Sequence, residues 1–331
     1  ERPNDANPVC RHGAPMKVLV TGAGGFVGDA LCRRLSASGC RVVGIFRDQP
    51  TPRDWMETRT TGDLTQLSDF NNAVEGADAV IHLAARVHMM RDTATDPQLA
   101  FRRANTDVTQ RLAQAAATAG AGRFVFLSSV KVNGEETTGA PFSEQDAPAP
   151  EDAYGRSKRD AEDALEKIAA TTKMAVTTLR VPLVYGPSVR ANFAALLRIC
   201  DTVLPLPLDG ITQNRRSLLY LGNLTHALET VVKADNDPSG TYLLSDGEDM
   251  STAELVSHLR RSLNRHSLRL PVSASALRSI ASLVGKQDAA QRLCGSLQVD
   301  SMAFQKEFGW VPPFSPAQGI AATAAAYRAT R

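Results

Sequence analysis

The sequence predicts an α/β protein with a doubly wound parallel sheet and a smaller C-terminal substrate-binding lobe. Two observations support this: short β-rich runs alternate with helical patterns over 16–181, and a glycine-rich turn follows the first run. Such alternation is typical of a parallel sheet covered by helices on both faces. After 181 the proline-rich LPLPLDG and irregular short elements replace it. We therefore expect the lobe to occupy mainly 182–331, with some of its elements returning to the sheet.

Six strands are predicted in chain order, each rich in β-branched or aromatic residues. They are KVLVTG at 17–22, RVVGIF at 41–46, ETRTT at 57–61, DAVIHLAA at 78–85, GRFVFLSS at 122–129 and MAVTTLRV at 174–181. Helices are predicted between them at about 25–38, 69–75, 97–119 and 152–170. Gly39 and Gly120 stand where two of these helices should end, because glycine readily adopts the left-handed backbone that closes a helix.

The composition is that of a soluble chain with a sizeable core. Of its 331 residues 43% are hydrophobic and 22% are charged, and the net charge is +2 with Lys and Arg dispersed along the chain. We therefore expect neither a nucleic-acid nor a membrane partner. The five cysteines contain no C-x-x-C pair, which predicts reduced thiols, no metal site and a cytoplasmic location. The polar residues 1–15 predict a disordered tail, left either by an upstream start or by cloning.

The turn TGAGGFVG at 21–28 is the first candidate binding site. Gly22, Gly25 and Gly28 have the spacing G-x-x-G-x-x-G between a predicted strand and a predicted helix. Such glycines let the backbone approach a pyrophosphate, and the helix N-terminus offers free N–H groups and a positive dipole end. We predict a dinucleotide site here, although tight packing of the strand against the helix also requires small residues.

The end of the second strand bears on the choice between NAD and NADP. A dinucleotide site usually has a carboxylate there for the adenosine ribose, but this chain has Arg47, followed by Asp48. An arginine can hold a 2′-phosphate or stack on adenine. The position favours NADP over NAD, with a solvated surface arginine as the alternative. Asp63 in TGDL is placed to accept a hydrogen bond from the adenine amino group.

Tyr154 and Lys158 form a pair in the charged helix pattern DAYGRSKRDAED. Residues four apart share one helix face, and an ammonium lowers the pKa of a nearby phenol, as does a cationic nicotinamide. We therefore expect Tyr154 to act near neutral pH as a general acid or base on a hydroxyl or ketone. Ser129 ends the strand GRFVFLSS at the sheet edge where such folds bind ligands, and it is expected to hydrogen-bond the reacting oxygen.

From residue 16 onward the chain resembles the extended short-chain dehydrogenase/reductase family, in its group of nucleotide-sugar epimerases, dehydratases and reductases. The matching segments occur in order and are VTGAGGFVG, GDL, HLAA, RANTDVT, FLSSVKVNGE, YGRSK, LRVPLVYGP and RRSLLYLGNL. The resemblance implies a Rossmann-like fold, an NAD or NADP cofactor, a UDP-sugar substrate and a homodimer. The dimer would form through the helices at 97–119 and 152–170, which could alternatively pack only on their own sheet.

The resemblance also implies the roles of individual residues. The implied catalytic triad is Ser129, Tyr154 and Lys158. The implied cofactor contacts are Gly22, Gly25, Phe26, Val27, Gly28, Arg47, Asp63, Leu64, Leu83, Ala84, Ala85, Asn105, Tyr154, Lys158, Val184 and Tyr185. The implied substrate contacts are Ser129, Lys131, Asn133, Asn192, Leu206, Arg216 and Arg292.

The substrate contacts divide by the part of the substrate that they would touch. Asn192 and Arg216 match positions that hold the diphosphate, and Leu206 matches a position whose backbone reads uracil. Arg292 is either a second phosphate clamp or a surface arginine. The two positions shortly after Ser129, residues 131 and 133, would contact the sugar or its N-acetyl group, or else serve as ordinary loop residues.

The residues after Ser129 also bear on the reaction. The 4,6-dehydratases of this family have a Thr-Asp-Glu run there, whereas this chain has Val130 and Lys131. No acid is therefore expected for water elimination. A 4-epimerase similar to the UDP-glucose 4-epimerase-like members of bacterial surface-polysaccharide synthesis stays open, as does a 4-ketoreductase acting on a UDP-4-keto-6-deoxy-N-acetylhexosamine. Ser217 departs from that group, which has Asp at this position.

Two further interpretations belong to other classes. A non-catalytic NADP-binding sensor or assembly protein would commonly break the triad, which is intact here. A short alcohol or 2-hydroxy-acid dehydrogenase would lack the long segment after 181. His82 and His88 are six residues apart, and the apolar strand around His82 predicts a packed core histidine and no metal ligand.

Overall fold

The computed structural model describes residues 15–87, 96–265, 270, 272–283, 285 and 287–331. The tail predicted over 1–15 lies outside these ranges apart from its last residue. The described strands are β1 Lys17–Thr21, β2 Arg41–Phe46, β3 Glu57–Thr60, β4 Ala79–His82, β5 Arg123–Ser129, β6 Ala175–Val181, β7 Leu183–Tyr185, β8 Leu218–Tyr220 and β9 Gly240–Leu243. The described α-helices are α1 Phe26–Ala37, α2 Asn71–Val74, α3 Pro97–Phe101, α4 Val108–Thr118, α5 Ala153–Thr171, α6 Ala191–Cys200, α7 Leu221–Lys233, α8 Thr252–Ser262, α9 Ala274–Leu283, α10 Gln287–Cys294, α11 Met302–Phe308 and α12 Pro316–Ala329.

Seven strands form one parallel sheet in the order β3-β2-β1-β4-β5-β6-β9. This architecture confirms the predicted fold class. The chain runs outward from β1 through β2 and β3, then crosses back to β4, so the switch in direction lies between β1 and β4. In open α/β sheets, ligands bind beyond the carboxyl ends of the strands at this switch. The seventh strand, β9, comes from the part after 181, where the sequence shows no regular alternation.

Helices cover both faces of the sheet and create two cores. Alternate residues of β1 point to opposite faces, as the pleat of a strand requires. Val20 packs in one core with Leu31 of α1 and Leu228 of α7. Leu19 packs in the other core with Leu112 of α4. The central strands are thus buried on both sides, which explains their nearly continuous apolar character.

Helix ends follow the sequence signals more closely than helix interiors do. Gly39 and Gly120 adopt φ values of +86° and +82° just beyond α1 and α4, as predicted. The helix predicted at 97–119 is divided, because a π-helical segment, Arg102–Asp107, joins α3 to α4. A π-helical segment accommodates an extra residue per turn, and the apolar periodicity does not reveal such an insertion.

The C-terminal lobe is built on the two-stranded parallel sheet of β7 and β8. Phe193 of α6, Leu259 of α8 and Ile320 of α12 pack around Tyr185 in one core. None of the helices in the described ranges combines the length and apolar character that crossing a membrane requires.

Candidate active site

Ser129 and Tyr154 meet at the carboxyl end of β5. Ser129 is the last residue of β5, and its Oγ accepts a hydrogen bond from the Lys131 amide at 3.3 Å. Helix α5 begins beside it, because Asp152 Oδ1 caps the helix by accepting from the Gly155 amide at 2.6 Å. A Cβ at Gly155 would lie 2.7 Å from the Lys131 carbonyl oxygen. The glycine therefore lets the first turn of α5, which carries Tyr154, approach the chain that follows Ser129.

Lys158 lies one turn further along α5, with only 2% of its surface exposed. Its Nζ donates to the Leu127 carbonyl of β5 at 2.8 Å and lies 4.5 Å from the centre of the Phe126 ring and 5.9 Å from that of Tyr154. Burial lowers the pKa of Lys158 from 10.5 to about 7, and the Glu162 carboxylate opposes this change. The ammonium thus titrates near neutrality.

Tyr154 is half-buried and packs edge-on against Phe101, with ring centres 6.0 Å apart. Burial raises its pKa to about 12, a hydrogen bond shared with Ser129 lowers it, and the charge of Asp152 raises it. With the protein's own groups the net pKa of Tyr154 is raised, whereas the sequence predicts a lowering by Lys158 together with a cationic nicotinamide. Loss of solvation is the largest cause of the rise, and it exceeds the opposing hydrogen bond with Ser129. A cationic ligand remains the source of charge that would lower the pKa.

The glycine-rich turn forms a cradle at the ends of β1 and β4. Gly22 has φ +70°, and its carbonyl accepts from the Gly25 amide at 2.9 Å. A Cβ at Gly28 would lie 2.1 Å from that carbonyl oxygen, and one at Gly22 would lie 2.9 Å from the Ala84 amide nitrogen. Side chains at these positions would collide with the backbone of the turn and of the segment after β4, so the glycines permit the close approach of strand, turn and helix. A turn packed in this way at the N-terminus of α1 fits a dinucleotide pyrophosphate.

His82 connects this cradle to the core below it. Thr21 Oγ1 accepts from the amides of Leu83 and Ala84, both at 3.2 Å, so its hydroxyl proton is assigned to His82 Nδ1 at 2.6 Å. The ring stacks on Phe126, and burial, with a smaller effect from the charge on Lys158, lowers the pKa of His82 to about 3. The bond fixes the segment after β4 against the end of β1.

The histidines supply no metal site in the described chain. His88 lies outside the described residues, and within them no group of three or more His, Cys, Asp or Glu side chains is placed to hold a metal ion.

The ends of β2 and β3 are followed by charged groups. Arg47 is exposed, and Asp63 Oδ1 accepts from the amide and the hydroxyl of Thr65, each at 2.9 Å. The Thr65 amide bond, the hydroxyl bond and the charge of Arg47 hold the pKa of Asp63 below its usual value, against the effect of burial. Arg47 and Asp63 are thus close enough to act on the same part of a ligand. Leu64, which follows, packs against the sheet core.

A second arginine near the end of β2, Arg53, was not predicted. Its guanidinium lies 5.8 Å from the centre of the Phe46 ring and 5.4 Å from that of Trp55, and it pairs with Asp29 in the first turn of α1. It comes from the loop TPRDW, which matches no motif. The only sequence signal is an arginine close to a tryptophan, and that signal does not show that the loop folds back toward the cradle.

Asn105 joins the elements around the site, and its predicted contact with the cofactor stays a prediction. It is 1% exposed. Its Oδ1 accepts from the Arg86 amide at 2.8 Å, and its Nδ2 donates to the Arg86 carbonyl at 3.0 Å and to Ser157 Oγ at 2.9 Å. Both amide protons are in use, so the side chain fixes the segment after β4 to α5.

An arginine pair lies in the part of the chain that follows 181. Arg216 is half-buried and donates to the Gly295 carbonyl at 3.0 Å. Burial lowers its pKa, Glu136 and Glu135 oppose this, and the neighbouring charge of Arg292 lowers it further. The structure thus brings Arg216 and Arg292, the two predicted phosphate clamps, within electrostatic range of each other.

The other two lobe residues differ in exposure. Asn192 is exposed in the first turn of α6, whereas the Leu206 side chain is buried in the lobe core. At Leu206 only the backbone can face a ligand, which is the contact that the resemblance implies.

Two carboxylates lie beside Lys131 in the segment after Ser129. Lys131 Nζ donates to Glu135 at 2.6 Å and to Asp152 at 2.7 Å. Burial lowers the pKa of Lys131, but the two carboxylates raise it further, so the net shift is upward. Both carboxylates are engaged by Lys131, and the expectation that no carboxylate is placed for water elimination stays a prediction.

Asn133 is also held by its neighbours. It is 3% exposed, and it donates to the Ser143 carbonyl at 3.1 Å and accepts from Arg180 at 3.2 Å. Its side chain therefore links two parts of the protein, and the sugar contact suggested by the resemblance stays a prediction.

Two positions near the lobe boundary have structural partners. The Tyr185 hydroxyl donates to Asp246 at 2.9 Å within the lobe core, so only the backbone there can face a cofactor, next to the half-buried Val184. Ser217 Oγ donates to Asp249 Oδ1 at 2.5 Å and accepts from the Val299 amide at 2.9 Å. Asp249 thus supplies the carboxylate that the resembling proteins have at position 217.

Comparison with known proteins gives consistent matches over most of the chain. Residues 18–244 match the NAD dependent epimerase/dehydratase family. A UDP-glucose 4-epimerase of Vibrio cholerae is 38% identical over 314 residues, which cover 95% of this chain and 96% of that protein. The N-acetyl-alpha-D-glucosaminyl-diphospho-ditrans,octacis-undecaprenol 4-epimerase of Escherichia coli O157:H7 is 26% identical over 317 residues, 92% of each chain. The solved structure of MoeE5 in complex with UDP-glucose and NAD superposes with a TM-score of 0.75 at 26% identity, covering 95% of this chain and 99% of that one.

Proposed function

The chain belongs to the NAD dependent epimerase/dehydratase family, and from that premise we propose that it inverts C4 of a UDP-hexose by reversible hydride transfer. The observation that carries the proposal is the meeting of Ser129, Tyr154 and Lys158 at the carboxyl edge of the sheet. The glycine cradle lies two strands away at the end of β1, and β4 lies between them. Such an arrangement puts an acid–base group next to a dinucleotide site.

Tyr154 is the group proposed to move the proton. Its phenol takes the proton of the C4 hydroxyl when the sugar is oxidised and returns it to the C4 oxygen when the ketone is reduced. Ser129, which shares a hydrogen bond with the phenol, donates to the same oxygen. A bound nicotinamide dinucleotide supplies the reversible acceptance of hydride. Lys158 supports the phenolate by its charge and holds α5 to β5 through the Leu127 carbonyl.

Arg216 and Arg292 are proposed to hold the diphosphate of the substrate, because an arginine fork matches two phosphate oxygens at once. Asn192 and the backbone at Leu206 are the proposed further contacts of the nucleotide. The Vibrio cholerae relative is a UDP-glucose 4-epimerase and the MoeE5 structure contains UDP-glucose. These two proteins support a UDP-sugar as the substrate of this chain.

A 4-ketoreductase is the second candidate, and a specific observation favours it. Arg47 and Arg53 bring two guanidinium groups to the adenosine end of the cradle, where a 2′-phosphate of NADP would lie. A reductase exchanges its dinucleotide after every turnover, whereas an epimerase regenerates its own.

The experiment that tests the proposal begins with protein purified without added cofactor. The protein is denatured, and released NAD(H) or NADP(H) is measured by absorbance and mass. The native protein is then incubated with UDP-glucose alone, and the UDP-sugars are separated by chromatography. We expect near-stoichiometric dinucleotide and formation of the C4 epimer. An empty site, with NADPH consumed only in the presence of a 4-keto sugar nucleotide, would instead support the reductase.

We infer that the protein acts as a homodimer in the cytoplasm. The helices α4 and α5 pack side by side, as a dimer formed through them requires. The described cysteines Cys32, Cys40, Cys200 and Cys294 are free. Sedimentation at several protein concentrations tests the dimer. A monomer at all concentrations would contradict it.

A further inference from the structure

A buried ion pair lies one helical turn beyond Lys158. Glu162 of α5 and Arg180 of β6 have side chains only 0% and 3% exposed. Arg180 Nη2 donates to Glu162 Oε2 at 2.7 Å, and Arg180 Nε donates to Oε1 at 3.1 Å. Removing two charges from water costs about as much as their attraction returns, so such a pair adds little net stability. A role other than stability is therefore to be sought.

The pair is connected to the elements that carry the candidate catalytic residues. Ser128, the neighbour of Ser129 in β5, donates its hydroxyl proton to Glu162 Oε1 at 2.5 Å. Arg180 Nη1 donates to Asn133 in the segment that follows Ser129. One network thus joins the end of β5, the helix α5 and the loop beside the proposed sugar position.

Among the described neighbours of Lys158, Glu162 is the acid whose charge raises the pKa of the lysine. It stands four residues after Lys158 and therefore on the same helix face, and its charge favours the ammonium against the effect of burial. His82 faces Lys158 from β4 and disfavours the ammonium when charged. Asp152, at the start of α5, is engaged by Lys131.

Two arginines also lie near this part of α5. Arg159 contacts Glu162 from the outer side of the helix at 3.5 Å. Arg86 lies over the ring of Phe101, which in turn packs on Tyr154. Neither residue stands between Glu162 and Lys158 along the helix.

We propose that Glu162 and Arg180 are positioning residues of the candidate active site. Through Ser128 and Asn133 they fix the end of β5 against α5, and the Glu162 carboxylate stabilises the charged form of Lys158. Arg180 holds this carboxylate in a fixed orientation through its Nε and Nη2 atoms. The contribution of the pair to catalysis rests on the proposed function. Its effect on the Lys158 pKa is independent of that function.

The test follows the titration of Lys158 directly. The chain has eight lysines, so ¹³Cε-lysine spectra recorded over a range of pH can resolve them, and Lys158→Arg assigns the signal. We expect Glu162→Gln to lower the Lys158 titration midpoint by about one pH unit, because a neighbouring charge in a poorly solvated site has an effect of this order. Glu162→Asp should restore most of the wild-type midpoint. An unchanged midpoint in Glu162→Gln would overturn the proposal.

A double variant distinguishes the effect of the Glu162 charge on Lys158 from a general loss of stability. Because Glu162→Gln leaves Arg180 buried without its partner, it can lose stability for that reason alone. Glu162→Met/Arg180→Met removes both charges and restores an apolar contact. We expect near-wild-type stability with a Lys158 midpoint still below that of the wild type. Recovery of both stability and midpoint would show that the pair is merely structural.

A matched control and a kinetic measurement complete the design. Asp246 is another buried carboxylate, bonded by Tyr185 and Asn223 in the lobe, and Asp246→Asn should lower stability without moving the Lys158 midpoint. Ser128→Ala should lower kcat about tenfold with KM unchanged. If the wild type turns over no UDP-sugar, the proposed function fails, and the lysine titration still decides this proposal. An unchanged kcat in an active enzyme would contradict the positioning of β5.

Discussion

Replacing Lys158 by methionine should stabilise the protein in a strongly pH-dependent way. Burial lowers the pKa of Lys158 from 10.5 in the unfolded chain to about 7 in the fold. Between these values the unfolded chain binds more protons than the folded one, so the free energy of unfolding rises with pH. Above the unfolded pKa of 10.5 the amine is neutral in both states, and the folded protein has its full stability. This stability is lost as the pH falls through the folded pKa of about 7.

The magnitude follows from the two pKa values. Between about pH 9.5 and about pH 6, linkage gives a loss of about 3 kcal/mol in the free energy of unfolding from this one group. Methionine has a similar length and no charge, so Lys158→Met removes this dependence. The stability gained over the wild type should thus be larger near pH 6 than near pH 9.5 by about 3 kcal/mol.

Urea unfolding of both proteins at the two pH values measures this difference. Lys173→Met, at an exposed position shortly after α5, shows what loss of a surface charge does under the same conditions. If Lys158→Met changed stability equally at both pH values, the amine would not be the buried, weakly basic group that the structure indicates.

Three other substitutions test the remaining parts of the site. Tyr154→Phe should leave dinucleotide binding intact while kcat falls by about three orders of magnitude, because only the proton carrier is removed; unchanged turnover would refute its role. Arg47→Ala should weaken NADPH more than NADH in equilibrium titrations, whereas equal losses would indicate a solvated surface arginine. Gly28→Ala should abolish dinucleotide binding and cost about 1–3 kcal/mol of stability, since the new Cβ would lie 2.1 Å from the Gly22 carbonyl oxygen. Retained affinity would show that the turn can shift to accommodate the new Cβ without losing the dinucleotide.

The sequence predicted the parts of the molecule that local chemistry determines. The six strands follow from short runs rich in β-branched or aromatic residues, and the ends of α1 and α4 follow from Gly39 and Gly120. Placement of Tyr154 and Lys158 on one helix face follows from their spacing alone. These features depend on residues close together in the chain, which is why a pattern reveals them.

The features that sequence reasoning missed depend on contacts between distant residues. Arg53 reaches the cradle through Asp29, which is 24 residues away, and Asp249 supplies a carboxylate to Ser217 across 32 residues. The π-helical turn around Asn105 and the strand β9 likewise have no local signature. In each case tertiary packing, and not propensity, decides the outcome.

The protein's own groups raise the pKa of Tyr154 for the same reason, and this shift changes how the site must operate. Tyr154 and Lys158 are buried beside each other, and the loss of solvation disfavours both the phenolate and the ammonium. Near neutral pH the protein alone therefore supplies a protonated phenol and a lysine close to its midpoint. A protonated phenol is ready to act as an acid toward a ketone, while action as a base requires positive charge nearby. Lys158 brings part of that charge when it is protonated, and an oxidised nicotinamide would add to it in the direction in which hydride leaves the sugar. The pair is thus suited to both directions of the reaction, with the ligand's charge selecting the direction of proton transfer.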